Sequence, residues 1–414
     1  MKAIRKIPIS KPFLGKEEIE AVRKVLESGW IVQGPKTEEF EKLFSQYTKS
    51  KFAVAVSSCT TALHLSLEAL EIKNNDKVIL PSFTFIATAN VVEYQQAKPI
   101  FCDINLNTFN IDEKKIPEII EKEKNVKVII PVNLFGLCAN LEEISQIAKN
   151  YGLKIIEDCA CSLGSFIGNK HSGTFGDTGC FSFHPRKQIT TGEGGMIITD
   201  SEEIYNKLLI LRNHGAKISD YQRHNKSFSF LLPEYNNKGY NYRITDIQSA
   251  IGIEQMKKID YIMEKRKKIA KKYTEFLKNT KVKGKHLSEY LRLPSFPSTY
   301  THSYQSFVVL FTMNESLFEI QDEEKRVEII NEWNKNRNLL MLRLEENGIS
   351  TRQGTHAVHT LGYYRNKYNF KLSSFINSYA ADRLTIALPL YTEMEEEDVN
   401  YIVDNIEKVI KEII

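Results

Sequence analysis

The sequence predicts an α/β protein, with a mostly parallel, seven-stranded sheet followed by a smaller α+β domain at the carboxyl end. Short apolar runs rich in β-branched residues alternate with helix-like segments as far as residue 199. This alternation is typical of parallel strands covered by helices on both faces. From about residue 244 a long helical pattern without proline replaces the alternation. We therefore expect a large domain at 1–255 and a small domain at 256–414.

The large domain begins with two predicted helices. The first, over Lys16–Glu27, should end at Ser28-Gly29, because glycine readily takes the left-handed conformation that follows many helices. The second is expected near Thr37–Tyr47. The seven strands are expected at Phe52–Val56, Lys77–Leu80, Pro99–Asp103, Val126–Val132, Lys154–Glu157, Cys180–Phe183 and Met196–Thr199. Helices are expected between several of them, at Thr61–Leu70, Ile86–Tyr94 and Leu141–Asn150.

The small domain should follow one long helix. Thr245-Asp246 is a typical helix start, and the helical pattern continues through Leu277. Beyond it the sequence predicts two strands and two helices, at Ser303–Phe311, Leu384–Leu388, Trp333–Asn347 and Glu395–Ile413.

The composition excludes several classes of protein. The 56 basic and 52 acidic residues give a net charge of +4, which is too balanced to indicate binding to nucleic acid. No apolar stretch approaches the roughly 18–20 residues that span a bilayer, and the first residues lack the apolar segment of a signal peptide. Cys159 and Cys161 have no second pair at zinc-ligand spacing, so no metal site is predicted. Scattered cysteines are typical of reduced thiols in a cytoplasmic protein.

Lys187 is the candidate catalytic residue. It follows the predicted strand Cys180–Phe183 and precedes a glycine-rich turn that leads into the next strand. Burial at such a position disfavours the ammonium form and frees an amine that attacks a carbonyl. A surface lysine in a hairpin loop fits this stretch alone equally well.

Four other segments carry groups that would complete a site at the carboxyl ends of the strands. In Ser57–Leu63 a strand passes into a helix, whose N-terminus suits a phosphate, although a plain helix cap also explains it. Asp158 follows a strand, where a carboxylate either holds a pyridine nitrogen protonated or serves as a cap. In Pro81–Phe85 an aromatic ring either stacks on a flat cofactor or belongs to the core. Ser182 either binds phosphate or is merely tolerated in its strand.

These groups together meet the requirements of pyridoxal 5'-phosphate (PLP): phosphate donors, a carboxylate for the ring nitrogen, a stacking aromatic and a Schiff-base lysine. The chain resembles the DegT/DnrJ/StrS family of PLP-dependent sugar aminotransferases over nearly its whole length. The matching stretches are Ser28–Gly34, Ser57–Leu63, Pro81–Asn90, Glu157–Gly164, Phe181–Gly195, Leu211–Gly215, Gly239–Gln248 and Leu388–Tyr391.

The resemblance implies a fold-type I aminotransferase that forms a homodimer with shared active sites. Lys187 would hold PLP, Asp158 would pair with its ring nitrogen, and Phe85 would stack on the ring. The phosphate would be bound by Thr60, Thr61, Ser182 and, from the neighbouring subunit, Asn241. Two residues depart from the family. Cys161 stands where many relatives have glutamine or histidine in contact with the cofactor, and Cys59 stands where glycine is common and should crowd the phosphate turn.

The implied reaction moves an amino group from glutamate to a nucleotide-linked 4-keto-6-deoxy sugar, for surface polysaccharide or glycan biosynthesis. Arg352 and His356, in a polar stretch after a predicted helix, are candidate substrate-binding residues, since a guanidinium suits phosphate oxygens. A solvated loop explains that stretch as well. Amination at C3, a cyclitol ketone as substrate, and a non-catalytic protein on the same fold remain alternatives. A dehydratase of this family would have histidine at Lys187.

Overall fold

The central sheet has the predicted seven strands. In a computed structural model, which describes residues 5–217, 221, 234–313, 317 and 320–414, their spatial order is β1-β10-β9-β6-β5-β2-β4. Only β10 runs antiparallel to both its neighbours, so the sheet is mostly parallel. The strands in chain order are β1 Phe52–Val56, β2 Lys77–Pro81, β3 Phe83–Thr84, β4 Lys98–Cys102, β5 Val126–Ile129, β6 Lys154–Asp158, β7 Phe166–Ile167, β8 Lys170–His171, β9 Thr178–Ser182 and β10 Gly195–Thr199.

Helices cover both faces of this sheet. Alternate residues of β1 belong to different apolar clusters: Val54 and Val56 pack with α3, whereas Ala53 and Ala55 pack with α2 and α8. Burial on both faces explains why the strands are continuously apolar. The helices of this part are α1 Lys16–Ser28, α2 Pro35–Thr48, α3 Cys59–Ala69, α4 Ala87–Tyr94, α5 Ile116–Lys122, α6 Leu141–Tyr151, α7 Glu202–Arg212 and α8 Asp246–Lys257.

Most of the remaining helices pack around the three-stranded sheet β13-β15-β17, whereas β11 pairs with β12, β14 with β7 and β16 with β3. The core around this sheet contains Tyr273, Phe311 and Tyr379, all almost fully buried. The helices are α9 Ile259–Asn279, α10 Leu287–Tyr290, α11 Glu323–Glu346, α12 Gly362–Tyr368, α13 Ile376–Leu384 and α14 Glu396–Ile413. The strands are β11 Lys281–Val282, β12 Lys285–His286, β13 Leu291–Arg292, β14 Tyr300–Thr301, β15 Phe307–Phe311, β16 His356–Ala357 and β17 Thr385–Leu388. The domain division at 255/256 stays a prediction.

Three predicted elements are wrong in extent. The single helix expected from Thr245 to Leu277 is two helices, because Lys258 leaves helical geometry (φ −100°, ψ −1°). Its amine lies 2.8 Å from Glu18 Oε1 on α1, and this tertiary ion pair has no counterpart in the helical sequence pattern. The strand expected from Ser303 starts only at Phe307, because Tyr304 has a φ of 49°, which is incompatible with a strand. Other boundaries moved by up to three residues, except that α11 begins ten residues earlier.

Asp103 joins the two parts of the molecule. It follows β4 and accepts hydrogen bonds from the Asn377 and Ser378 N–H groups at the start of α13, at 3.0 and 2.8 Å, and from the Ser378 hydroxyl at 2.7 Å. A buried carboxylate at a helix N-terminus satisfies amides that have no partner within the helix. No helix within the described ranges is both long and apolar enough to cross a bilayer.

Candidate active site

A cavity of about 630 Å³ lies where the two parts meet. One wall comes from segments that follow the carboxyl ends of β1, β2, β6 and β9, which is where parallel sheets place their ligands. The opposite wall comes from the loops around Gln305 and Arg352 and from the end of β17. The predicted residues on the wall are Thr60, Phe85, Asp158, Cys161, Ser182, Lys187 and Arg352.

The Lys187 side chain is half-buried in this wall, and its amine donates a hydrogen bond to the Cys161 sulfur at 3.2 Å. Burial lowers the pKa of Lys187, as expected from the sequence. The nearby Cys161, Cys59 and Asp158 outweigh burial, so the pKa of the amine lies above its ordinary value. The prediction that burial leaves the Lys187 amine uncharged is therefore wrong for the protein without a ligand, because the nearby acidic groups stabilise the charged form.

Asp158 is buried at the carboxyl end of β6. Its carboxylate accepts hydrogen bonds from the Thr88 hydroxyl at 2.8 Å and from the Ala160 N–H at 3.1 Å. Burial raises the pKa of Asp158, while these donors and Lys187 oppose the rise. The site thus contains an oriented carboxylate whose charge a cationic ligand atom would stabilise.

The N-terminus of α3 points into the cavity. Ser58 caps the helix by accepting the Thr61 N–H at 3.1 Å. Thr60 lies on the cavity wall, and Ser182 lies there too. The Thr61 hydroxyl instead donates to the Ser58 carbonyl at 2.7 Å and accepts the Ser58 N–H at 3.0 Å. Thr61 is absent from the wall and caps the helix, whereas Thr60 remains the candidate for binding phosphate.

Cys59 lies on the cavity wall, and its buried thiol donates to the Cys180 carbonyl at 3.5 Å. That it crowds the phosphate turn stays a prediction. Gly195 packs closely against the same turn, since a Cβ there would lie 2.5 Å from the Ser58 carbonyl group.

The two phenylalanines of Pro81–Phe85 have different environments. Phe83 is fully buried in the core, whereas Phe85 is 63% exposed and lies on the cavity wall. A ring exposed on a cavity wall is available to stack on a flat ligand. Phe85 therefore suits the stacking role and Phe83 the core role.

Three predicted binding residues lie apart or at the edge. Arg352 is exposed on the wall, and its backbone pairs with Ala387, while its side chain has no partner among the described residues. His356 is not on the wall: it is exposed and pairs through its backbone with Thr84, in β16. Asn241 is also exposed and away from the wall of its own chain, where it pairs with Asn213.

Two residues of the site were not predicted from the sequence. Thr88, in the first turn of α4, orients the Asp158 carboxylate, and the hydroxyl of Thr84 in β3 lies 3.0 Å from its own. Buried Gln188 donates to the Cys161 carbonyl at 2.6 Å and to the Ser303 hydroxyl at 2.9 Å. No sequence pattern pointed to Gln188, because its partners are distant in the chain.

The arrangement fits PLP on its own geometry. A helix N-terminus with Thr60 and Ser182 suits the phosphate, exposed Phe85 suits a flat ring, and the buried Asp158 carboxylate suits a protonated ring nitrogen. Lys187 on the same wall supplies the amine.

Comparison with known proteins agrees with this interpretation of the site. The model of the DegT/DnrJ/EryC1/StrS aminotransferase family matches residues 12–407. The spore coat polysaccharide biosynthesis protein SpsC of Bacillus subtilis is 32% identical over 405 residues, 98% of this chain and 97% of that protein. An uncharacterized protein of Methanocaldococcus jannaschii is 38% identical over 98% of both chains.

Among solved structures, Spr1654 of Streptococcus pneumoniae, assigned as a sugar aminotransferase, superimposes in its PMP form with a TM-score of 0.86. It is 27% identical, and the alignment covers 99% of this chain and 100% of that one. The same protein in its PLP form gives a TM-score of 0.85. The fold, the cavity and the nearly complete match agree, and the chain belongs to the DegT/DnrJ/EryC1/StrS aminotransferase family.

Proposed function

We propose that the protein is a PLP-dependent enzyme that transfers an amino group from glutamate to a nucleotide-linked 4-keto-6-deoxy sugar. The observation that carries the proposal is the convergence of Lys187, Asp158 and Phe85 in one cavity that is open to Arg352. The spore coat polysaccharide role in the name of SpsC supports a sugar substrate, destined for a surface polysaccharide or glycan.

PLP, when bound, serves as an electron sink for the negative charge left when an amino acid loses its α-proton. Asp158 supports that role because its fixed carboxylate favours a protonated ring nitrogen. Phe85 would stack on the ring of the cofactor. Thr60, Ser182 and the N-terminus of α3 would hold its phosphate.

Lys187 Nζ is the group that moves protons. Its amine would move the proton from the α-carbon of glutamate to the cofactor, and in the opposite direction when the sugar is aminated. Arg352 binds a phosphate oxygen pair of the nucleotide at the cavity mouth.

We also propose a homodimer in the cytoplasm. Asn241 is exposed and outside its own cavity, which suits a role in the site of the neighbouring subunit. All six cysteines are free thiols, which suits a reducing compartment.

The test is a Lys187→Ala variant with Lys154→Ala, an exposed lysine at the start of β6, as the matched control. Lys187→Ala should abolish formation of 2-oxoglutarate from glutamate and leave the urea midpoint unchanged, while the control keeps full activity. Mass spectrometry of products from a panel of nucleotide-linked 4-keto and 3-keto sugars and cyclitol ketones then identifies the acceptor. Near-normal transamination by Lys187→Ala would contradict the enzyme assignment, and amination of only a 3-keto sugar or cyclitol would correct the substrate.

A further inference from the structure

Lys187 and Cys161 are joined by a direct hydrogen bond inside the cavity. The Lys187 amine makes one hydrogen bond to a side chain among the described residues, to the Cys161 sulfur at 3.2 Å. Both residues line the same cavity. Of the six cysteines Cys161 alone is partly exposed, and the other five are buried. A thiol in an electropositive, accessible position is the kind that ionises and reacts.

The side chain of Gln188 holds together the two loops that carry Lys187 and Cys161. Gln188, which is next to Lys187 in sequence and 5% exposed, donates to the Cys161 carbonyl at 2.6 Å. The same amide group donates to the Ser303 hydroxyl at 2.9 Å, so it cannot turn away freely. The two loops are therefore tied together within one residue of both the sulfur and the amine, and the contact does not depend on side-chain rotation alone.

The other charged or titratable groups near the amine already have partners or lie in the lysine's own loop. Asp158 accepts from Thr88 and Ala160, and the Cys59 thiol donates to the Cys180 carbonyl. His184, Arg186 and Glu193 also line the cavity, and they lie in the same loop as Lys187. Cys161 is thus the group that is placed to give its thiol proton to the amine, which leaves an ammonium hydrogen-bonded to a thiolate.

We propose that Cys161 is a positioning residue for Lys187, holding the lysine amine as an ammonium–thiolate pair in the cofactor-free protein. The inference rests on the proposed role of Lys187. Glutamine and histidine, common at this position in the resembling family, cannot form such a pair. The sulfur keeps the amine at the cavity wall, and the ammonium returns its proton to the thiolate before the uncharged amine combines with the cofactor. The raised pKa of Lys187 agrees with this geometry.

Alkylation of the full-length protein after removal of the cofactor tests the pair directly. Iodoacetamide reacts with thiolates, and Cys161 is the accessible cysteine. At pH 7 the wild-type protein should be alkylated at Cys161 about tenfold faster than Lys187→Ala, the change expected for one pH unit of thiol ionisation. Lys187→Arg, which keeps the positive charge, should restore most of the rate. Equal rates in the wild type and Lys187→Ala overturn the proposal.

The reciprocal measurement uses the lysine. Only the uncharged amine combines with the aldehyde of added PLP, so the pH midpoint of the recombination rate reports the free lysine. Cys161→Ala should move this midpoint lower by about one pH unit, and Cys102→Ala, a buried cysteine outside the cavity, should not. An unchanged midpoint in Cys161→Ala overturns the proposal. Neither measurement requires transamination, so failure here is distinct from Lys187→Ala retaining activity, which would defeat the proposed function instead.

Discussion

Phe83 and Phe85 offer a sharp test of how the cavity works, because they are identical residues two positions apart with opposite surroundings. Phe83 has no exposed surface, and its ring centroid lies 6.4 Å from that of Phe109 and 6.2 Å from that of Phe135. Phe85 is 63% exposed on the cavity wall. We expect Phe83→Ala to lower stability and Phe85→Ala to lower cofactor affinity.

The magnitudes follow from burial. Phe83→Ala removes a complete ring from a packed aromatic cluster and should lower the free energy of unfolding by about 3–5 kcal/mol. Phe85→Ala removes a ring that touches little of the protein and should change it by less than about 0.5 kcal/mol. If Phe85 stacks on the PLP ring, its loss should cost about 1–2 kcal/mol of binding, or roughly 5- to 30-fold in Kd.

The assays are urea denaturation of the cofactor-free variants and a PLP titration followed by protein fluorescence. Phe85→Tyr, which keeps the aromatic face, is the control for the binding effect and should bind PLP almost as tightly as the wild type. The reasoning is refuted if Phe85→Ala binds PLP with wild-type affinity, or if it loses as much stability as Phe83→Ala.

Three further predictions concern the groups around the cavity and the junction of the two parts. Thr88→Val should slow the glutamate half-reaction by about 10- to 100-fold in single-turnover kinetics, because the carboxylate of Asp158 loses a charged hydrogen bond of about 1.5–3 kcal/mol; a rate equal to that of Thr84→Val would contradict this. Arg352→Ala should raise KM for the nucleotide-linked sugar by about tenfold or more and leave the glutamate half-reaction unchanged; equal losses in both half-reactions would be the contrary outcome. Asp103→Ala should lower the free energy of unfolding by about 2–3 kcal/mol, since two amides of α13 lose their acceptor. Asp112→Ala, which uncaps only the short surface turn at Glu113–Lys115, is its control and should cost about 1 kcal/mol or less.

The sequence predicted the sheet and the residues fixed by strand ends, and it failed where side-chain direction depends on tertiary contacts. Asp158 and Lys187 follow strands whose carboxyl ends share one edge, so their nearness follows from topology alone. Thr61 and His356 could not be placed this way. The hydroxyl of Thr61 turns back to cap its own helix, and His356 is directed by the pairing of β16 with β3, which joins residues 272 positions apart (His356 and Thr84). The break at Lys258 depends likewise on an ion pair with a distant helix.

The opposite wall of the cavity is held in place by a buried arginine that does not itself line the cavity. Arg266, on α9, is 4% exposed, and its guanidinium donates to the carbonyls of Tyr304 at 2.9 Å, Gln305 at 2.6 Å and Leu390 at 3.3 Å. Burial lowers the pKa of Arg266 to about 10, so it stays charged at neutral pH. Gln305 and Leu390 line the cavity on the side of Arg352. A buried charge that is satisfied only by backbone carbonyls is costly to displace, so α9 holds these two loops in a fixed relation. The groups proposed to hold PLP lie at the ends of the large sheet, whereas Gln305 and Leu390 lie on the opposite wall, on loops that Arg266 holds through their main-chain carbonyls. Side chains at these two positions can therefore change without loss of the hydrogen bonds that fix the wall.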